Sequence, residues 1–191
     1  MGGVSFAVHR GSGKERALLS LDDFEDDEPW RETVPFLDDV AVDDAIDGVR
    51  LQRLRTYADH RGDLTVLLSD LRETIPLPPH VYLVSAAPGS VRAWVYHKRQ
   101  SDRLAFTNGD VRVVLYDLRK ESPTCGRLNV LDVGGANKVL VTIPPRVVHG
   151  VQNRGVDVAT FVNMPTKAYD PGNPDKSRLR RDHPGIPYQF A

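Results

Sequence analysis

The sequence predicts an all-β chain: an antiparallel barrel of the jelly-roll kind with an arm at each end. Three observations carry this reading. From Gly48 onward, apolar runs of about five to nine residues alternate with polar turns, and little amphipathic helix lies between them. Gly89 to Gly109, GSVRAWVYHKRQSDRLAFTNG, places a valine and a histidine two residues apart on a strand pattern that closes on Asn-Gly. Pro144 to Asn153, PPRVVHGVQN, answers it with a second histidine, His149, expected to face His97 across the barrel.

Residues 1–48 differ in composition from the rest. Met1 to Ser20 is rich in Gly, Ser and Arg, and Asp22 to Asp47 holds most of the acidic clusters, Glu25-Asp26-Asp27-Glu28 among them. This stretch reads as an acidic, partly flexible arm, solvated or docking on a basic partner surface, with Trp30 and Phe36 as apolar anchors. The barrel domain is expected over 49–191. Val49 to Tyr57 alternates, with Val49, Leu51 and Leu54 inward, and ends in the polar turn Ala58 to Gly62. Leu64 to Leu68 is strand-like again. Pro76, Pro78 and Pro79 exclude a helix before His80 to Ser85 resumes a strand.

In the central stretch, successive side chains on a strand alternate faces, so Val95 and His97 share the inner one. The spacing reads as a hairpin in a barrel, with Asp102 near the turn into the partner strand, and Asn108-Gly109 is a further hairpin signal because both residues tolerate positive φ. Val111, Val113 and Leu115 then alternate with Arg112, Val114 and Tyr116. RLNVLDV, NKVLVTI and VDVATFVNM supply the remaining strands.

Composition narrows the function. The chain has 191 residues and a net charge of −1, without the basic excess of a general nucleic-acid binder. A single cysteine, Cys125, excludes an internal disulfide and a multi-cysteine zinc site. No apolar run approaches the ~18 to 20 residues of a membrane span, and no leader pattern precedes a cleavage site. A cytoplasmic protein without membrane attachment is the expectation.

The two central stretches have the spacing of the paired motifs of cupin barrels, with Val95 where the first histidine belongs and Arg146 replacing a glycine. Asp117 to Thr124, DLRKESPT, followed by Gly126, resembles the D-x-R-x-x-S-P-T-x-G stretch of the dTDP-4-dehydrorhamnose 3,5-epimerase family, the nucleotide-sugar branch of the cupins. Asp59 to Gly62 is similar to that family's D-x-R-G turn, Arg92-Ala93-Trp94 to its R-G-L or R-G-W, and Ile143 to Gly150 to its I-P-x-G-x-x-H-G. Tyr169-Asp170-Pro171 and Asp182 to Tyr188 match its C-terminal elements, so the resemblance runs from about 49 to 190.

The resemblance implies a homodimeric cupin binding a dTDP-4-keto-6-deoxyhexose. The 4-keto group acidifies the C3 and C5 protons, so a base on one face and an acid on the other suffice for epimerisation, with no cofactor and no metal. It also marks departures. Val95 stands at the base position, Asn163 where the acid tyrosine belongs, Asp102 where a lysine is expected, and the segment carrying the orienting aspartate is missing after Ala191. His97, two residues beyond the lost base, becomes a displaced base or a substrate donor, with His149 as its catalytic partner; a packed barrel histidine is the plainer alternative. Arg61 and Arg92 are implied diphosphate ligands, Tyr169 a stacking partner for thymine, and Asn163 a substrate contact. Simple alternation puts Arg92 on the outer face, so a bulge near Trp94 is required if it serves the pocket. Two other readings stay open: a metal-dependent cupin using His97, Asp102 and His149, and a sugar-nucleotide-binding or scaffolding protein that has lost catalysis.

Overall fold

The computed structural model describes residues 23–26, 37–69 and 77–191. Trp30, Phe36 and Pro76 lie outside them. The chain divides into two compact units, Met1–Val34 and Pro35–Ala191; of the first, only the exposed residues 23–26 are described.

The second unit is built of strands: β1 (Leu37–Val40), β2 (Arg50–Leu54), β3 (Thr56–Asp59), β4 (Gly62–Thr65), β5 (Tyr82–Ala86), β6 (Val91–His97), β7 (Asp102–Phe106), β8 (Asp110–Asp117), β9 (Leu128–Gly134), β10 (Val139–Ile143), β11 (Val147–Asn153), β12 (Ala159–Asn163) and β13 (Lys176–Arg178). A six-stranded sheet has the order β1-β2-β10-β7-β12-β5 and a five-stranded sheet the order β13-β6-β11-β8-β9, while β3 and β4 form a separate hairpin. Every pairing is antiparallel. The fold is the expected cupin jelly roll.

The core lies between the two sheets. Leu104 and Phe106 from β7, Val139 and Val141 from β10, and Phe161 from β12 meet Val111, Val113 and Leu115 from β8. The predicted alternation on β8 holds: Val114 and Tyr116 face outward, into a second cluster with Trp94 and the C-terminal Ile186, Tyr188 and Phe190. Leu51 points inward as expected, but Leu54 belongs to the apolar cluster on the outer face, with Ala105 and Leu140. Three positions separate the two leucines, an odd step on a strand of period two, so they cannot share a face.

The expected hairpins at the central stretch are corners instead. β6 belongs to one sheet and β7 to the other, and β8 returns to the first, so the turns at 98–101 and 107–109 carry the chain across the barrel. Gly109 has φ +79°, and a Cβ there would meet the Ala159 Cβ at 2.5 Å, so glycine serves a close approach as well as a turn. β6 does contain the bulge that the Arg92 position requires. His149 pairs with Val95 and Val151 with Arg92, so residues 93 and 94 on β6 stand against the single Gly150 on its partner. The extra residue, at 93–94, puts Arg92 on the face of the core residue Val151 and leaves Trp94 on the outer face.

The segment before residue 48 enters the barrel. β1 pairs with β2, and Ile46, 1% exposed, is in the core. Asp117 anchors this segment from a fully buried position. It accepts bonds from Ser122 Oγ at 2.7 Å, Thr124 Oγ1 at 2.7 Å and Arg119 Nε at 2.9 Å. Arg119 then donates to the Asp47 carbonyl at 2.7 Å, and the Asp47 N–H donates to Thr124 Oγ1 at 3.0 Å. Burial pushes the Asp117 carboxyl up, and the bonds from Arg119, Ser122 and Thr124 outweigh it, holding the group well below the usual carboxylate range.

Candidate active site

β6 and β11 end at one mouth of the barrel, and their inward histidines converge there on a carboxylate from the opposite sheet. His97 Nε2 lies 3.2 Å from Asp102 Oδ2 and His149 Nε2 lies 3.5 Å from the same oxygen. The two imidazoles are stacked, with centroids 6.0 Å apart. The other carboxylate oxygen accepts from Gln100 Nε2 at 2.9 Å. All four side chains are buried. Burial alone pushes the Asp102 carboxyl up, but the hydrogen bonds and charges of His149 and His97 hold it far below the usual carboxylate range, so it is an anion at neutral pH.

The ring nitrogens have distinct tasks. Nδ1 of His149 lies 3.2 Å from the Val147 carbonyl, which can only accept, so that nitrogen carries a hydrogen. Nε2 of His149 then donates to Asp102 only when the ring is protonated, and in the neutral ring it offers a lone pair there. His97 uses Nε2 toward Asp102, and its Nδ1 is buried with no hydrogen-bond partner. Such an orphaned buried atom calls for a function. The turn between β6 and β7 is held by Asp175, whose Oδ2 accepts from the N–H groups of Arg99 at 3.0 Å and Gln100 at 2.9 Å.

His97 opens onto a cavity of about 430 Å³, lined on its other sides by Tyr82, Gln100, Tyr169, Lys176 and Arg178. Asp102 and His149 stand behind His97. Register fixes the cations: Lys176 pairs with His97 and Arg178 with Val95, so all four side chains share the inner face. Burial, followed by the charges of Arg178 and Arg92, pulls the Lys176 ammonium below its usual value, although Asp102 opposes this. A crowd of cations of this kind favours an anionic ligand, and the guanidinium of Arg178 suits phosphate oxygens.

Of the sequence-predicted residues, His97, His149 and Tyr169 come together with the metal-candidate Asp102. Arg92 reaches the edge of the group, its guanidinium donating to the Ser85 carbonyl at 2.8 Å. Asn163 is buried, with Nδ2 donating to the Tyr82 phenol oxygen at 2.8 Å. Arg61 is not brought to this cavity within one chain. It sits on the β3–β4 turn, its Nε donating to Asp59 at 3.0 Å, beside a separate shallow pocket. Sequence reading missed Tyr82, Gln100, Lys176 and Arg178. Tyr82 sat on a short strand pattern whose partner the sequence does not specify, and the two cations sat in a stretch that reads as an arm.

Comparison with known proteins places the chain. Residues 43–190 match the family profile of dTDP-4-dehydrorhamnose 3,5-epimerase, well over half of the sequence. The chain belongs to that family. It is 33% identical over 145 residues to the spore coat polysaccharide biosynthesis protein SpsL of Bacillus subtilis strain 168, covering 76% of this chain and 96% of the relative. It is 35% identical over 139 residues to the probable low-salt glycan biosynthesis epimerase Agl13 of Haloferax volcanii, covering 72% of this chain and 89% of that one. Among solved structures, a dTDP sugar isomerase from Desulfovibrio desulfuricans G20 superposes with a TM-score of 0.71 at 29% identity, covering 76% of this chain and 92% of that structure. As a dTDP-4-dehydrorhamnose 3,5-epimerase family member, the protein is epimerase-like in fold and sequence. Among the described residues, no helix is long and apolar enough to cross a membrane.

Proposed function

We propose that the protein is a nucleotide-sugar epimerase or isomerase that holds a dTDP-4-keto-6-deoxyhexose in the 430 Å³ cavity and removes a ring proton with His97. The observation that carries this is the Asp102–His97 pair with its unpartnered Nδ1. Asp102 fixes the ring through Nε2 and favours the imidazolium that forms when the ring takes a proton. A proton next to a ketone is acidic enough for such a base, and no redox partner is required. Lys176, Arg178 and Arg92 supply the positive end for the diphosphate, and Tyr169, exposed at the mouth, offers a face to the thymine ring.

The test is proton exchange. Incubation with dTDP-4-keto-6-deoxyglucose in deuterated water should place label at C3 or C5, and His97→Ala should abolish it. Absence of label with the wild-type protein, at nucleotide concentrations that raise its melting temperature, would leave sugar-nucleotide binding without chemistry as the function.

A second reading uses the same residues as metal ligands. The ligand atoms of His97, Asp102 and His149 lie within 4.8 Å of one another, and the hydrogen on Nδ1 of His149 leaves its Nε2 lone pair aimed at the carboxylate. Two histidines and a carboxylate suit a divalent transition metal with open positions. Stoichiometric metal in the purified protein, together with loss of exchange on chelation and its return on reloading, would favour this reading.

A further inference from the structure

We infer that Tyr82 is the proton donor on the wall opposite His97, delivering its phenolic hydrogen to the carbon that His97 deprotonates while Asn163 holds the phenolate left behind. This rests on the epimerase reading above and extends it to the second half of the reaction.

Placement comes first. β5 pairs with β12 in the register Tyr82 to Asn163 and Val84 to Phe161. Phe161 is in the core and Val84 packs against it, so Tyr82 and Asn163 lie on the same inward face at the open end of the strand pair. Tyr82 lines the cavity that His97 opens onto. His97 stands on the five-stranded sheet and Tyr82 on the six-stranded one. A sugar ring between them therefore presents one face to each, the arrangement that inversion at a carbon requires.

The phenol is also prepared for the task. Asn163 Nδ2 donates to its oxygen at 2.8 Å, so that bond does not use the phenol's own hydrogen, which is left to point into the cavity. The His80 ring, with its centroid 5.2 Å away, packs against the Tyr82 ring and fixes its tilt. Burial, then the negative charge of Asp102, raise the phenol above its ordinary value, and the Asn163 bond acts the other way by favouring the phenolate. The group thus keeps its proton at neutral pH and is eased in giving it up.

The step balances without a further reagent. The C–H electron pair moves into the enolate as the proton passes to the His97 imidazole. The enolate carbon then forms its new C–H bond with the Tyr82 proton on the opposite face, leaving a phenolate and an imidazolium. Solvent at the cavity mouth returns a proton to Tyr82 and removes one from His97.

The experiment separates the two halves. Wild type, Tyr82→Phe and His97→Ala are incubated with dTDP-4-keto-6-deoxyglucose in deuterated water, and proton NMR follows loss of the ring proton and appearance of the inverted configuration separately. Tyr82→Phe should slow inversion roughly 10²-fold, the scale of a lost general acid, while label still enters with retention at a rate within about threefold of wild type. His97→Ala should lose both. Unchanged inversion in Tyr82→Phe, or exchange and inversion falling by the same factor, would overturn the assignment. Failure of wild type to exchange at all would instead overturn the epimerase reading on which it rests. Should Tyr82→Phe not fold, Asn163→Leu, which keeps the phenol and removes its partner, should slow inversion about tenfold with exchange unchanged, and equal rates of inversion would again refute it.

Discussion

Asp102→Asn is the most informative single change, because it keeps the shape of a side chain only 4% exposed and removes its charge. The carboxylate lies 3.2 Å from His97 Nε2. At an effective dielectric of ~20, a full imidazolium at that distance is attracted by about 5 kcal/mol. In the resting state much of this is offset, since burying the carboxylate costs several kcal/mol, and an asparagine oxygen still accepts one hydrogen bond. The expected loss of folding stability is therefore about 1 to 2 kcal/mol, a fall in melting temperature on the order of 2 to 8 °C for a chain of this size. Proton abstraction is different. His97 gains its charge in the transition state, and a loss of about 2 to 4 kcal/mol there slows exchange roughly 30- to 10³-fold. Thermal melts and deuterium exchange on the same preparation read the two quantities. An exchange rate within threefold of wild type, with the melting temperature lowered, would refute the claim that Asp102 supports a base.

Three further outcomes follow from the same geometry. Arg178→Ala should weaken thymidine diphosphate binding roughly 10- to 100-fold by calorimetry, the scale of a charge-assisted hydrogen bond; unchanged affinity would remove the phosphate from this wall. Asp117→Asn should destabilise the fold by roughly 2 to 3 kcal/mol at pH 7. Because the folded Asp117 carboxyl is held below its ordinary value of 3.8, this difference is fully present above that pH and shrinks as pH falls below it; a gap undiminished at pH 3 in urea titrations would contradict the network. The chain should be a homodimer, since β1 is an edge of the six-stranded sheet and Leu83, on the opposite edge strand, is 63% exposed. A sedimentation mass near 21.3 kDa at micromolar concentrations would refute it.

What the sequence disclosed follows from which structural features are local. Strand alternation placed Val111, Val113 and Leu115 inward without any knowledge of partners, and the same parity argument exposed the conflict at Arg92 that the β6 bulge resolves. The converging histidines were legible because their motifs fix both. The turns at Asn108-Gly109 and at 98–101 were read as hairpins because turn chemistry reports a reversal but not which sheet receives the next strand. The stretch DLRKESPT was the most specific part of the resemblance, yet its Asp117, Arg119, Ser122 and Thr124 serve a network that holds the backbone of Asp47 to the barrel. Tyr82 and Arg178 were missed for a common reason. Each reaches the site through pairing with a strand about 80 residues away, Asn163 for one and Val95 for the other, and nothing local encodes that register.

Two of the departures that the family resemblance marks fit the proposed reaction once these registers are known. Position 95 lacks a base, and on the proposed function His97 would supply one two residues farther along the same strand, about 6.7 Å away on the same face. Position 163 lacks a phenol, and on the same proposal Tyr82 would supply one on the neighbouring strand, about 4.8 Å across the ladder. Each displacement stays within its own sheet, so one group remains on either side of the barrel. On this reading Val95 and Asn163 mark a catalytic pair that moved within its barrel. Asp102, which replaces an expected lysine, is the change that makes the move workable, because a cation at that position would oppose an imidazolium on His97 where the carboxylate favours it.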